Sequence, residues 1–260
     1  MSIINRINPY TLFVTEIEMR FCDKTLATGS CALITEKSNG ADRNNDRHYI
    51  LTAKHNLTGR NGITDEVLDK KYAAIPDSVA IWVHGNDLQT ESWVEVVEPL
   101  FAEDEPRWLE HSNPLIDVAI LPFRPRDGLF PSLGIEGLTG MHTVNPGDLV
   151  HVIGFPLARK SHGHLPIWNT GTLATDLAID FDNLPCFLID CTVRQGNSGS
   201  PVLYKTGYMT NVTTLQGQFQ MPELRLLGIY TGRLDGRSDI GRAWKTSVIS
   251  EILRGKGSTD

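Results

Sequence analysis

The sequence predicts an all-β chain, folded as a sandwich or as barrels and closed by a C-terminal helix. Three observations carry this. Short apolar runs rich in Val, Ile, Thr and aromatic residues recur along the whole length, which is the composition of half-buried strands. Clusters of Gly, Pro, Asn and Asp separate them, and helical periodicity is nearly absent. Antiparallel sheets of this size must cover or close their edges, which leaves sandwiches and barrels.

In chain order the expected strands are Tyr10 to Ile17, Ser30 to Thr35, Tyr49 to Thr52, Val79 to Val83, Trp93 to Val97 and Asp117 to Leu121. After a gap come Leu149 to Ile153, Phe187 to Asp190, Pro201 to Tyr204 and Leu226 to Tyr230. Val248, Ile249, Ile252 and Leu253 repeat at helical spacing and predict the terminal amphipathic helix. Ile63 to Lys71 reads as a second, shorter helix. The stretch from Phe123 to Gly147 holds three prolines and five glycines with little periodicity, so it is the expected junction of two half-chains. Gly255 to Asp260 is expected to fray.

A length of 260 residues fits one domain or two intimately packed halves. With 40% hydrophobic residues, disorder as the main state is excluded. Twenty-four basic against 31 acidic side chains give a formal charge of −7, which repels phosphate backbones and anionic leaflets alike. Neither nucleic acid nor membrane is expected as a partner. Met1 to Phe21 has no continuous apolar region and no small-residue cleavage site, and no run approaches the roughly 18 apolar residues of a spanning helix. A soluble, non-exported chain follows. Its four cysteines, Cys22, Cys31, Cys186 and Cys191, form no C-x-x-C pair and read as free thiols of a reducing, cytoplasmic compartment. A bridge from Cys22 to Cys31 across a hairpin is the alternative.

The chemistry concentrates in three segments. Gly196-Asn197-Ser198-Gly199-Ser200-Pro201 flanks one serine with glycines, whose backbone freedom exposes the hydroxyl and can aim successive N–H groups at one point. Tyr49-Ile50-Leu51-Thr52-Ala53-Lys54-His55 sets a histidine just after an apolar strand, and Leu115-Ile116-Asp117-Val118-Ala119-Ile120-Leu121 sets a carboxylate inside an apolar run. A buried carboxylate demands a donor, and an imidazole N–H is a natural one. Taken singly, each segment also fits a plain structural role: a polar hairpin loop, a satisfied histidine, a carboxylate accepting backbone bonds. Chain order narrows the architecture. All eight histidines precede Ser198, which excludes the Ser, Asp, His order of an α/β-hydrolase. The Asp, His, Ser order of subtilisin would need a parallel α/β pattern that this chain lacks. His55, Asp117, Ser198 remains.

Thr52-Ala53-Lys54-His55, Asp117-Val118-Ala119-Ile120-Leu121 and Gly196 to Pro201 together resemble the chymotrypsin-like (trypsin-fold) serine peptidases. Further matches lie at Gly29 to Ile34, Pro146 to Pro156, Leu227 to Gly232 and Gly241 to Leu253. The resemblance implies two packed six-stranded antiparallel β-barrels with a C-terminal helix. Residues 1–125 form the barrel carrying histidine and aspartate, 126–147 the linker, and 148–260 the barrel carrying serine. It implies His55 as general base and then acid, Asp117 as its orienter, Ser198 as nucleophile, and the N–H groups of Gly196 and Ser198 as oxyanion hole. It also implies a substrate pocket built from Thr192 at its base, with Gln195, Thr231, Gly232 and Arg233 around it and Asp239 near its wall. Thr192 stands where basic-specific relatives carry aspartate, so small or acidic side chains are expected before the cut, unless Asp239 restores a basic preference. Secreted digestive relatives have an aspartate before the serine and cysteines around the histidine. Here Asn197 precedes Ser198, so the chain resembles the bacterial branch that folds without cleavage. Only about seven residues remain after the helix, so no PDZ domain is expected.

His162-Gly163-His164 lacks a third ligand and reads as a solvated loop, so no metal is expected, and no cofactor either. Glu98, Glu103, Asp104, Glu105 and Glu110 read as a solvated acidic loop. Asn56-Leu57-Thr58 and Asn211-Val212-Thr213 match glycan acceptors by chance. The expected function is an intracellular serine endopeptidase acting on a protein or peptide substrate. The alternatives are a non-catalytic binding module and an esterase. An unrestrained cytosolic protease endangers its own cell, so control by a regulatory protein partner, a substrate restriction or a latent site is expected.

Overall fold

The computed structural model describes residues 7–38, 46–62, 64–84, 93–124, 132–135, 144–214, 217–235 and 238–255. The first half opens with one helical turn, α1 (Pro9–Leu12), capped by the Asn8 side chain. Ten strands follow: β1 (Val14–Phe21), β2 (Lys24–Glu36), β3 (Arg47–Thr52), β4 (Ser78–His84), β5 (Trp93–Pro99), β6 (Phe101–Ala102), β7 (Glu105–Pro106), β8 (Leu109–Glu110), β9 (Ala119–Phe123) and β10 (Leu133–Gly134). One short helix, α2 (Lys54–Thr58), follows β3 directly. The main sheet runs β5-β4-β1-β2-β3-β9-β8, with β10 added in parallel to β2. The second half is a closed barrel of β11 (Leu149–Gly154), β12 (Ile167–Leu173), β13 (Cys186–Asp190), β14 (Ser200–Thr214), β15 (Gly217–Arg233) and β16 (Ile240–Lys245). Helix α3 (Thr246–Gly255) closes the chain. The all-β, chymotrypsin-like architecture is the expected one; the second half closes as a six-stranded barrel, whereas the described strands of the first half form an eight-stranded sheet in place of the expected six-stranded barrel. No described helix is long and apolar enough to cross a membrane.

Burial explains why these runs became strands. Four successive residues of β3, Tyr49 to Thr52, are buried, because the strand is central in its sheet and covered on both faces. One apolar cluster fills the first half (Ile17, Leu33, Ile50, Ile81) and another fills the barrel (Val150, Val152, Phe187, Val202). A third joins the halves: Phe13, Ile34 and Leu51 from one side meet Phe155, Ile229 and Trp244 from the other, and Val248, Ile249 and Ile252 of α3 pack on it. The two bodies therefore share a core.

Several elements differ from the sequence reading. Tyr10 to Leu12 is helical, because Pro9 at the helix start and the Asn8 cap favour a turn before β1. Ile63 lies outside the described residues, and no helix forms from Thr64 to Lys71. There the Asp69 carboxylate accepts from the backbone N–H groups of Lys71 and Tyr72, a local alternative to helical bonding. Strands β14 and β15 form a hairpin far longer than Pro201 to Tyr204 and Leu226 to Tyr230 suggested. Most of 126–147 and the tail after Gly255 lie outside the described residues. Of the junction, Leu133–Gly134 pairs with the first half.

The four cysteines are unpaired. Cys22 and Asp23 form a two-residue turn with φ 46° and 62°, closing β1 on β2, whereas Cys31 lies opposite Thr15. Seven residues of strand, roughly 20 Å, separate the two sulfurs' positions along the hairpin, too far for a bridge. Burial pushes the thiols of Cys31 and Cys186 up, and that of Cys191 up to about 11. We expect a maleimide added without reductant to label exposed Cys22 in the native protein, and the other three only after unfolding. A Cys22–Cys31 peptide two mass units light would contradict this.

Candidate active site

His55 sits on the first turn of α2, whose start is fixed by the end of β3 and whose end is fixed by Gly59 at φ 64°. Asp117 lies two residues before β9, the strand that pairs with β3, so the sheet itself brings the two segments together. The carboxylate grips the histidine twice: Oδ2 lies 2.7 Å from the ring Nδ1, and Oδ1 accepts from the His55 backbone N–H at 2.9 Å. The Asp117 carbonyl also accepts from Lys54 N–H at 3.3 Å. Both side chains are less than one-fifth exposed, 18% and 17%, which keeps the contact in a lowered dielectric. With Nδ1–H donated to a carboxylate, Nε2 of the neutral ring is an acceptor.

Ser198 lies between Gly196 at φ 94° and Gly199 at φ 90°. Both glycines are required twice over. A side chain at Gly196 would strike the Phe155 carbonyl, and one at Gly199 would strike Ser30 and Thr52. Within this loop Asn197, Gly199 and Ser200 N–H donate to Arg194, Tyr230 and Asn197 carbonyls. Among the described residues, the N–H groups of Gly196 and Ser198 have no such partner. The Ser198 hydroxyl donates to the Thr231 carbonyl at 3.2 Å, and among the described residues no hydrogen bond joins it to His55, whose ring bonds Asp117.

Residues of the first half suspend this loop. The Ser198 carbonyl accepts from Ser30 N–H and from Asn56 Nδ2, both at 2.9 Å. The Ser30 hydroxyl donates to the Gly196 carbonyl at 2.7 Å and accepts from Phe155 N–H at 3.0 Å. Asn56 Nδ2 also donates to Thr52 Oγ1, which donates to the Ser30 carbonyl. Gly29 must lack a side chain, because a Cβ there would come within 2.5 Å of Asn56 Nδ2. Sequence reasoning missed Ser30 and Asn56, the latter noticed only as a glycan match. The one available signal was Gly29 beside Ser30, a glycine inside a strand.

His55, Asp117, Gly196 and Ser198 line one open cleft of about 730 Å³. Gln195, Thr231, Gly232 and Arg233 line it too, as do Arg242 and Trp244, which the sequence reading did not single out. Trp244 Nε1 donates to Thr231 Oγ1, fixing that wall. Thr192 and Asp239 are placed outside this lining. Thr192 is exposed, its carbonyl accepting from Asn169, and Asp239 pairs with Arg194 at 3.0 Å. Of the acidic residues before Asp117, Glu98 pairs with Arg107 and Glu110 accepts from Trp108.

A two-body β fold with this constellation in the cleft defines a class, and comparison agrees: residues 29–210 match the model of the trypsin-like peptidase domain. The chain belongs to that family. Among solved structures it resembles a serine endoprotease from Yersinia pestis, with TM-score 0.55 and 18% identity over 94% of this chain and 62% of that one. The chain thus spans less than two thirds of that protein's length. A protease from M. tuberculosis in its active form aligns with TM-score 0.49 and 17% identity over 96% of this chain and 83% of that one. No curated protein matches.

Asn56→Ala removes one of two donors to the Ser198 carbonyl and should cost about 1–3 kcal/mol of stability in urea unfolding. Asn56→Asp should cost more, since a carboxylate would then face two oxygen acceptors. An aspartate variant as stable as the parent at neutral pH would refute the suspension.

Proposed function

We propose that the chain is a serine endopeptidase, hydrolysing peptide bonds through an acyl-enzyme. The observation that carries this is the double grip of Asp117 on His55 in the same cleft as Ser198. The Ser198 oxygen attacks the scissile carbonyl carbon while His55 Nε2 takes its proton, and Asp117 stabilises the imidazolium so formed. The negative oxygen of the tetrahedral intermediate accepts from Gly196 and Ser198 N–H. Such preorganised donors are each worth roughly 3–4 kcal/mol in the transition state. His55 then gives the proton to the leaving amine, and water repeats the sequence to release the acid and restore Ser198.

The charge lining the cleft supports a substrate class. Lys70, Lys71, Arg233 and Arg242 face it, Lys70 beside Glu66 and Arg242 beside Asp182, both at 3.7 Å, against Asp69 and the Asp117 already committed to His55, in a chain of net charge −7. Arg194 draws Asp239 into an ion pair. Acidic or small side chains before the cut are therefore favoured over Arg and Lys. Unpaired thiols support a reducing, cytoplasmic setting, and control by a regulatory partner belongs to the same reading.

Cleavage of a peptide library by the parent and its variants tests the proposal. Ser198→Ala and His55→Ala should each lower kcat by about 10⁶-fold, with the double variant scarcely worse. Asp117→Asn should cost on the order of 10⁴-fold. Cleavage surviving in Ser198→Ala would sink the mechanism. Dominant Arg or Lys before the cut, lost in Asp239→Ala, would sink the substrate class.

A further inference from the structure

The oxyanion-hole peptide has a neighbour that the catalytic residues do not explain. After β11 the chain passes through a single 3-10 turn, Pro156–Ala158, in which Leu157 and Ala158 hold φ of 53° and 54°. Left-handed backbone is disfavoured for both residue types, so surrounding contacts must impose it. The Leu157 N–H donates to the Gln195 carbonyl at 2.6 Å. Because a trans peptide is planar, fixing the Gln195 carbonyl on that side turns the Gly196 N–H to the opposite side. From the other direction, the Ser30 hydroxyl holds the Gly196 carbonyl.

The segment that follows the strained turn makes its contacts on the far body. Three residues past Leu157, Lys160 Nζ reaches 2.7 Å from Oε2 of Glu16 on β1, a carboxylate whose side chain is only 3% exposed. Lys160 Nζ is also 3.4 Å from His164 Nδ1. The His164 ring stacks on Trp82 of β4 at 4.2 Å and 22°, and lies 5.4 Å from Trp93 of β5. Gly163 lets the backbone pass Trp93, where a Cβ would come within 2.9 Å of the indole nitrogen. The segment from Phe155 to Leu165 thus starts on the barrel and is clipped to the first half.

We propose that the Glu16–Lys160 pair, with His164 seated on Trp82 and Trp93, is a clamp that holds the Leu157 turn and so keeps the Gly196 N–H directed for oxyanion binding. Glu16 and Lys160 are then positioning residues, acting through Leu157 and Gln195 without touching substrate. The inference rests on the serine-peptidase reading. A buried pair serving stability alone would leave the chemistry untouched once folded, and this separates the two roles.

The test uses Glu16→Gln/Lys160→Met, which removes both charges and leaves no buried carboxylate unpaired. Its kcat should fall at least tenfold with KM within twofold of the parent, and a peptide aldehyde, whose hemiacetal oxygen needs the hole, should bind at least tenfold more weakly. Adding Leu157→Gly, which removes the left-handed penalty while keeping the N–H, should restore most of the kcat. Leu157→Ile in the parent, at a site 61% exposed, should by itself lower kcat with KM unchanged, because a β-branched residue resists that backbone. This variant decides the matter if the double variant fails to fold. Unchanged kcat and aldehyde affinity in an active enzyme would remove the clamp alone. A parent that turns over no peptide would take down the peptidase reading and the clamp with it.

Discussion

The carbonyl oxygen of Ser198 is the point on which the arrangement hangs. It belongs to the second half of the molecule, yet both of its donors, Ser30 N–H and Asn56 Nδ2, come from the first. Asn56 is the next residue after His55 on the same short helix, so the group that fixes the nucleophile's backbone is built into the element that carries the base. A bond of this kind is worth only about 1 kcal/mol net, but its loss would leave a poorly solvated carbonyl and a free hinge beneath Ser198. The glycines around it follow as consequences: Gly29 makes room for Asn56, and Gly199 lets the loop pass Ser30 and Thr52.

Polarity beneath the site is arranged differently from that of relatives with an aspartate before the serine. The Asn197 side chain is fully buried, near Gly154 and the Ser30 and Ser200 hydroxyls, where a carboxylate would have to find a cation. The amide carries no charge to offset, although neither its Oδ1 nor its Nδ2 has a hydrogen-bond partner among the described residues. A cross-body ion pair is formed instead by Glu16 with Lys160, farther along the segment that begins at Phe155.

What was legible in the sequence is what chemistry requires of residue type. None of His55, Asp117 and Ser198 was decisive singly, but a histidine after a strand, a carboxylate in an apolar run and a serine between glycines occur together, and their order excluded other architectures. Most central strands were legible because apolar runs between turn residues leave few alternatives, but β12 and β16 of the barrel were not, since their residues mix polar and apolar types without a clear run. Less legible was whatever depends on partners distant in sequence. Asn56 meets Ser198 across 142 positions, and Lys160 meets a glutamate in β1, so neither has a local signature. Arg242 reaches the cleft wall because β16 pairs beside Gly232, a partner ten positions away that the sequence does not mark. Ile63 to Lys71 misled because apolar spacing there is overridden by an aspartate that bonds its own backbone.

The most direct measurement is covalent: treat the folded protein with a fluorophosphonate and map the adduct by peptide mass. Near-stoichiometric phosphonylation of Ser198, abolished by His55→Ala, is the result this account predicts, since it requires an activated hydroxyl beside a working oxyanion hole. A folded parent that takes up no label, or carries it on another residue, would contradict it.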